Sequence, residues 1–600
     1  MKDSLEKKLQ AYAESDAYAF HMPGHKRVMD PLGGQAMKLD ITEIDGFDNL
    51  HDAEGVLRDE MEAAAEMYGA QETLFSVNGS TCALLAAISA AVPRGGTILI
   101  ERACHMAVYH AAYLRELRVL YVEDVCSGEV EDGRVEGKRK CLLTENVVDS
   151  RSGGKYMREG TDRVADGSSD GKRKSLATEN VIDSSFGGKY MREDTEDSEK
   201  IVSSSESDVE SLLEVPGETR NTGICFDAIV ITSPTYEGVV KDVRAWAAFA
   251  YAHNAVLIVD EAHGAHLGFH PYFPESAVRC GADVVVQSTH KTLPAMTQTA
   301  LLHNASGRVS SRRLHFFMDI YETSSPSYVL MASITSALRL VREQGAELFE
   351  AYARRLQKVR RELCSLRHFR LAGGEDAVIG PEDGMLSYPV GTRMDPGKLV
   401  LVPVRQSDVS KREIEDSRID LEKYSSRDDA DELLGRAAEC AEDSYGAEWL
   451  YGVLRDEYHL QMEMRTGEYC LAMTSFADTD EGFGRLVTAM SEIDERVERE
   501  MSAARARVER SGLSGSKEVS GRVPVVLSEV AQVMKISDAL DAECETVALE
   551  RAVGRVCADF VILYPPDVPL IVPGEIYTKE KVSEIREWME KGFSVMGVDV

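Results

Sequence analysis

AVLIVDEAH (255–263) and DVVVQSTHK (283–291) decide how this chain is read. Each is a short apolar run closed by polar residues, the pattern of a parallel strand buried on both faces. The runs deliver Asp260 and Lys291 to their polar ends. Upstream, DAIVITSP (227–234) is a third such run, followed by a helical stretch through DVRAWAAFAYAHN (242–254). Further upstream, an Asn78-Gly79 turn opens a helical stretch (80–92), and TILIER (97–102) leads to Cys104-His105. Strands alternating with helices predict a doubly wound, mostly parallel α/β sheet. Ligands in such sheets bind at the carboxyl ends of the strands. Those ends hold His105, Ser233-Pro234-Thr235, Asp260 and Ser288 through Lys291.

Asp260 and Lys291 suit one chemistry in particular. Pyridoxal phosphate needs a lysine to carry its aldehyde and a carboxylate to keep its ring nitrogen protonated. A lysine at the end of a buried strand is costly without a purpose. The phosphate needs a cradle, and Gly79, Ser80 and Thr81 open a helix where free N–H groups favour an anion. Taken alone, Ser80 or Thr81 reads equally as a plain helix cap. Ser288 and His290 flank the lysine and could bond the same phosphate. His105 could stack on the ring, although a lone histidine at a strand end is more often structural. His263, His266 and His270 with Glu261 do not have a zinc spacing, so no metal is expected. DEAH (260–263) also spells a helicase motif, but that reading requires a GxxxxGK[ST] loop, which is absent from the sequence.

The bulk properties agree. Six hundred residues exceed one hydrophobic core, and 44% hydrophobic with 28% charged residues suits a globular protein. With 68 basic and 102 acidic residues the formal charge is −34. That disfavours nucleic acid and suits a small cationic substrate. No apolar run is long enough for a membrane helix, and MKDSLEKKLQAYAESDAYAF (1–20) reads as a short amphipathic helix without a signal core. The eleven cysteines form no CxxC pair, so free thiols and a cytoplasmic location are expected.

Two polar stretches interrupt the pattern. GKRKCLLTENVVDSRSGGKYMREGT (137–161) recurs at 171–195 with 19 of 25 positions identical, inside a segment (126–225) of 22 acidic and 15 basic residues. Two copies fall short of a solenoid, so a duplicated surface insertion is expected. A second insertion, 405–446, carries 13 acidic and 7 basic residues. The expected organisation is an N-terminal arm (1–50), a large α/β domain (51–310), a smaller α+β domain (311–503), a linker (504–522) and a C-terminal α+β domain (523–600).

Together the segments HMPGHK (21–26), DITEIDGFDNLH (40–51), FSVNGST (75–81), SPTYEGVVKD (233–242), VDEAHGAHLGFH (259–270), QSTHKTLPAMTQ (287–298), TSSPSY (323–328) and YPPDVPLIVPGE (564–575) resemble the bacterial ornithine/lysine/arginine decarboxylase family. The short N-terminus resembles the branch without an N-terminal wing domain. The resemblance implies an aspartate-aminotransferase-like fold (fold type I) and pyridoxal 5'-phosphate on Lys291. It implies Asp260 on the ring nitrogen, His105 stacked on the ring, and Ser80, Thr81, Ser288 and His290 at the phosphate. It places His263 near the substrate carboxylate and makes Glu575 a candidate for the substrate's distal cation. His290 or Lys291 would return the proton to Cα. It further implies a homodimer or larger assembly, with TSSPSY serving the partner's site. Two positions depart from the family pattern: Met106-Ala107 after His105, and Asp567 where the family has glycine.

The expected activity is decarboxylation of arginine, lysine or ornithine, feeding polyamine or diamine formation. Transamination or β-elimination on the same fold is the alternative. An aminotransferase would need an arginine for the substrate carboxylate, and Arg393, Arg405 and Arg465 are the candidates. A catalytically inactive scaffold is opposed by the intact Asp260, His105 and Lys291.

Overall fold

A computed structural model describes residues 4–14, 36–125, 140–142, 226–386, 388–404, 445–511, 532–564, 568–590 and 594–598. HMPGHK (21–26), Asp567 and nearly all of both insertions lie outside the described residues. The N-terminal helix is observed over Leu5–Glu14, with Leu5 and Leu9 buried.

The large sheet has eight strands: β1 (Glu72–Ser76), β2 (Thr97–Glu101), β3 (Arg118–Val125), β4 (Lys140–Leu142), β5 (Ala228–Thr232), β6 (Val256–Asp260), β7 (Val284–Gln287) and β8 (Ala300–Asn304). Their order is β1-β8-β7-β6-β5-β2-β3-β4. The pairs β7–β6, β6–β5, β5–β2 and β2–β3 are parallel. β8 runs antiparallel between β7 and β1, and β4 antiparallel beside β3. Ala228 to Ile231, Leu257 to Val259 and Val284 to Val286 are buried, as strands covered on both faces require. The chain passes from β2 outward to β3, then returns to β5 and proceeds through β6 to β7. The order therefore reverses between β2 and β5, where open α/β sheets bind ligands.

The 36-residue helix Tyr328–Leu363 leads into a four-stranded sheet. That sheet holds β9 (Phe369–Leu371), β10 (Lys398–Pro403), β11 (Met464–Arg465) and β12 (Cys470–Met473), in the order β11-β12-β10-β9. A three-stranded sheet of β13 (Val561–Tyr564), β14 (Val568–Ile571) and β15 (Ser594–Met596) lies near the C-terminus, in the order β14-β13-β15. The polar stretch expected as a linker is in part helical: the helix beginning at Asp480 continues to Ser511. Its residues 504–511 carry alanine and arginine, good helix formers, and nothing there breaks a helix.

Arg360 ties the long helix to the start of β10. It is fully buried, and its guanidinium donates to the carbonyls of Gly374 (2.6 and 3.0 Å), Ala372 (3.1 Å), Pro396 (3.2 Å) and Lys398 (3.4 Å). Replacing it by methionine leaves these carbonyls unpaired in the interior. The expected cost is about 2–4 kcal/mol of stability, read from the urea midpoint of Arg360→Met.

Candidate active site

β6 ends in Asp260, and β7 is followed by a single helical turn, Thr289–Thr292, that presents Lys291. Asp260 is 3% exposed, and one of its oxygens accepts the Ala262 N–H at 3.1 Å. Among the described residues it has no ion-pair partner. A buried carboxylate with such a sparse shell suits a ligand N–H. Burial lowers the pKa of the Lys291 ammonium, and the negative charges of Asp260 and Glu463 work against that shift.

The helix Gly79–Ala91 begins beside this turn. Gly79 has φ +79°, a left-handed conformation that favours glycine, and a Cβ there would meet nothing closer than the Gln298 carbonyl at 3.9 Å. The Asn78 side chain does not cap this helix, so the first N–H groups are left for another acceptor. Ser288 donates its hydroxyl to Ser80 Oγ at 3.0 Å, joining the two halves of the expected phosphate cradle. Thr81 and His105 are exposed, on the rim of the site.

Hydrogen bonds fix the tautomers of two histidines. His105 Nδ1 accepts the Ala107 N–H at 3.1 Å, so its proton is on Nε2. The donor is the backbone N–H of residue 107, so the Met106-Ala107 departure leaves this cap intact. His290 Nδ1 lies 2.9 Å from the Thr299 carbonyl, which can only accept, so Nδ1 donates. His290 can then donate from Nε2 only as imidazolium.

His263 sits between two lysines. Its Nε2 is 2.9 Å from Lys291 Nζ, and its Nδ1 is 2.7 Å from Lys398 Nζ. Burial, then the charges of Lys398 and Lys291, hold its pKa far below the ordinary histidine range. Lys398 starts β10, is 1% exposed, and has its pKa pushed down to about 8 by burial. The Tyr236 ring lies 4.8 Å from the His263 ring and 5.5 Å from Lys398 Nζ, and its hydroxyl donates to Glu463 at 2.6 Å. A Cβ at Gly238 (φ +95°) would stand 2.6 Å from Lys398 Cγ, so the lysine stem passes where only glycine leaves room.

Sequence reasoning missed Lys398, Tyr236 and Glu463. It also missed Glu322, a buried carboxylate that accepts from Ser76 Oγ (2.8 Å), Val77 N–H (3.0 Å) and Asn78 N–H (3.2 Å), anchoring the loop ahead of the cradle. Glu322 immediately precedes TSSPSY, and that motif meets DGFDNLH within the same chain. Tyr328 donates to the Asp48 carbonyl, and His51 Nε2 lies 2.8 Å from the Thr323 carbonyl.

Glu575 is elsewhere engaged. It is fully buried, ion-paired with Arg102, and accepts the Val572 N–H at 2.9 Å. Of the three histidines in the H-x-x-H-x-x-x-H run, His266 faces Asp395 (3.3 Å) and His270 faces Glu350 (3.0 Å), while His263 faces the two lysines. Among the described residues no helix is long and apolar enough to cross a membrane.

A mostly parallel sheet whose strand ends carry a buried aspartate and a half-buried lysine, beside a helix start without a side-chain cap, is the arrangement of a pyridoxal-phosphate enzyme of fold type I. The chain belongs to the Orn/Lys/Arg decarboxylase family: its residues 4–127 and 198–376 match the major domain, and residues 525–591 the C-terminal domain. It is thus a pyridoxal-phosphate-dependent amino-acid decarboxylase. It is 25% identical over 597 residues to the arginine decarboxylase of Bacillus subtilis, covering 98% of this chain and 94% of that one. It is 22% identical over 616 residues to the constitutive lysine decarboxylase of Escherichia coli, covering 96% and 75%. The solved lysine decarboxylase of Francisella novicida superposes with TM-score 0.66 at 16% identity, covering 99% of this chain and 79% of that one, a likeness of fold.

Proposed function

We propose that this chain decarboxylates arginine, lysine or ornithine, with pyridoxal phosphate carried on Lys291. The observation that carries the reading is the pairing of buried Asp260 with half-buried Lys291 at the ends of adjacent parallel strands, beside the Ser80–Ser288 contact. The cofactor, when bound, supplies an electron sink for the pair released from the Cα–carboxylate bond. Asp260 keeps the ring nitrogen protonated, and His105 covers the ring. Gly79, Ser80, Thr81 and Ser288 hold the phosphate, joined by His290 when its ring is protonated. His263 presents a polar hydrogen beside Lys291, toward the substrate carboxylate. Lys291 or His290 returns a proton to Cα.

For Glu575 to receive the distal cation of the substrate, it must exchange Arg102 for that group. The formal charge of −34 favours approach of a cationic substrate. Transamination has less support: Arg393 is exposed, Arg465 pairs with Glu448 at 2.8 Å, and Arg405 lies outside the described residues. The reading extends to a cytoplasmic homodimer or larger assembly, with TSSPSY reaching the partner's site, whose amine product feeds polyamine or diamine formation.

The test is release of labelled carbon dioxide from carboxyl-labelled arginine, lysine and ornithine by the cofactor-supplied protein. Release from one of the three, with the matching amine in equal amount, is the expected result and names the substrate. Keto acid without carbon dioxide would move transamination to the front.

A further inference from the structure

The line Lys291–His263–Lys398 poses a counting problem that its geometry resolves. An ammonium only donates hydrogen bonds, and a neutral imidazole offers one N–H and one lone pair. Two ammonium groups therefore cannot both bond to one neutral histidine. One lysine must be a free amine, or the ring must be an imidazolium between two amines.

The surroundings of the two nitrogens differ. Lys398 Nζ donates to Met473 Sδ at 3.2 Å and faces the Tyr236 ring at 5.5 Å, in addition to His263 Nδ1. The sulfur is an acceptor and the ring face is π-electron density, the shell of an ammonium. Asp395 supplies a compensating negative charge to Lys398, as Glu463 and Glu237 do more weakly. Lys291 Nζ makes its hydrogen bond to His263 Nε2. The charged groups that act on Lys291 are Asp260 and Glu463, and those that act on His263 are the two lysines, His105 and His290.

We propose that Lys398 is a positioning residue: its ammonium occupies the Nδ1 lone pair of His263, so that Nε2–H points at Lys291 Nζ and holds that nitrogen as a neutral amine. This rests on the reading of Lys291 as the cofactor lysine. The free amine is the form that adds to the cofactor's aldehyde carbon, forming a C=N bond with water as the other product. The same tautomer leaves Nε2–H as a donor once Lys291 is engaged. Burial favours the arrangement, because it places one positive charge in the cluster where three would otherwise crowd.

The experiment uses the full chain with histidine rings labelled in 13C and 15N, stripped of cofactor and then reloaded, with His263→Gln to assign the signal. In the unsubstituted protein His263 is expected as the neutral Nε2–H tautomer at pH 6 to 7, below the Lys398 pKa of about 8. Lys398→Met keeps the stem and removes the charge. The signal should then move to the Nδ1–H tautomer or titrate near the ordinary histidine range. The rate of covalent cofactor attachment at pH 7 should fall about tenfold and recover about one pH unit higher. Lys398→Arg, which keeps a cation, should retain the Nε2–H tautomer. An unchanged tautomer and pH profile in Lys398→Met would overturn the proposal. If that variant does not fold, an Nδ1–H tautomer in the unsubstituted protein overturns it alone. Covalent attachment surviving in Lys291→Ala would instead sink the assignment of the cofactor lysine, while the tautomer still decides the role of Lys398.

Discussion

Replacing Lys291 by alanine is expected to lower decarboxylation by about 10⁴-fold or more, the loss seen when a covalent catalytic group is removed. The cofactor should still bind, because Ser80, Thr81, Ser288 and Asp260 are untouched, but without a covalent bond. Its absorbance should become that of a free aldehyde, and borohydride should no longer fix it to the protein. Adding a small primary amine should restore part of the activity, since the lost group is an amine in a space the alanine leaves open. The fold should survive. Lys291 is on a four-residue turn, its hydrogen bond is to a side chain, and the turn is held by the Thr289–Thr299 hydroxyl pair at 2.7 Å. Activity within tenfold of the unsubstituted enzyme would remove Lys291 from the chemistry.

The second large effect is expected at Asp260. Asparagine has the same shape and keeps an oxygen for the Ala262 N–H, so folding should be unchanged. What it lacks is the negative charge proposed to hold a proton on the cofactor's ring nitrogen. That charge acts in a buried site, where preorganised electrostatics are worth most. Turnover should fall by about 10²- to 10³-fold, or about 3–4 kcal/mol of barrier, with KM changed far less. Glutamate at 260 keeps the charge but displaces it, and should recover less than the full activity. Equal turnover in Asp260→Asn would mean that the carboxylate is structural.

Much of this was legible because the large sheet writes itself plainly. VLIVD and VVVQ are buried on both faces, so their composition carries no alternation to confuse the reading, and the polar residues that close each run mark the ligand end. Asp260 and Lys291 were visible for that reason, and Ser80 and Ser288 because they flank a turn and a strand end. β8 was not recognised: TALLHN is short, antiparallel and closed by His303 and Asn304, two polar residues that the fold buries. Lys398 was hidden differently. It opens KLVLVP, and a lysine at a strand start reads as a solvated end. Only the approach of β10 to the turn after β6 reveals it as buried. Glu322 ends a helix and Tyr236 follows a proline turn, positions where exposed residues are the rule. Their partners come from distant segments, and a single sequence has no local signal for that.

Glu575 shows the opposite case. The PGE segment stood out in the sequence, and the glutamate is indeed buried, but its carboxylate is answered by Arg102, which TILIER places directly after β2. Arg102 had no feature to distinguish it from any arginine at a strand end. The pairing makes Arg102 the residue whose release a distal substrate cation would require.

The most direct test of the central claim is to reduce the cofactor-loaded protein with borohydride and map the modified peptide by mass spectrometry. The account predicts the pyridoxyl group on Lys291, in the segment QSTHKTLPAMTQ (287–298). Modification of Lys398, the buried lysine on the other side of His263, would contradict it and reverse the roles of the two amines.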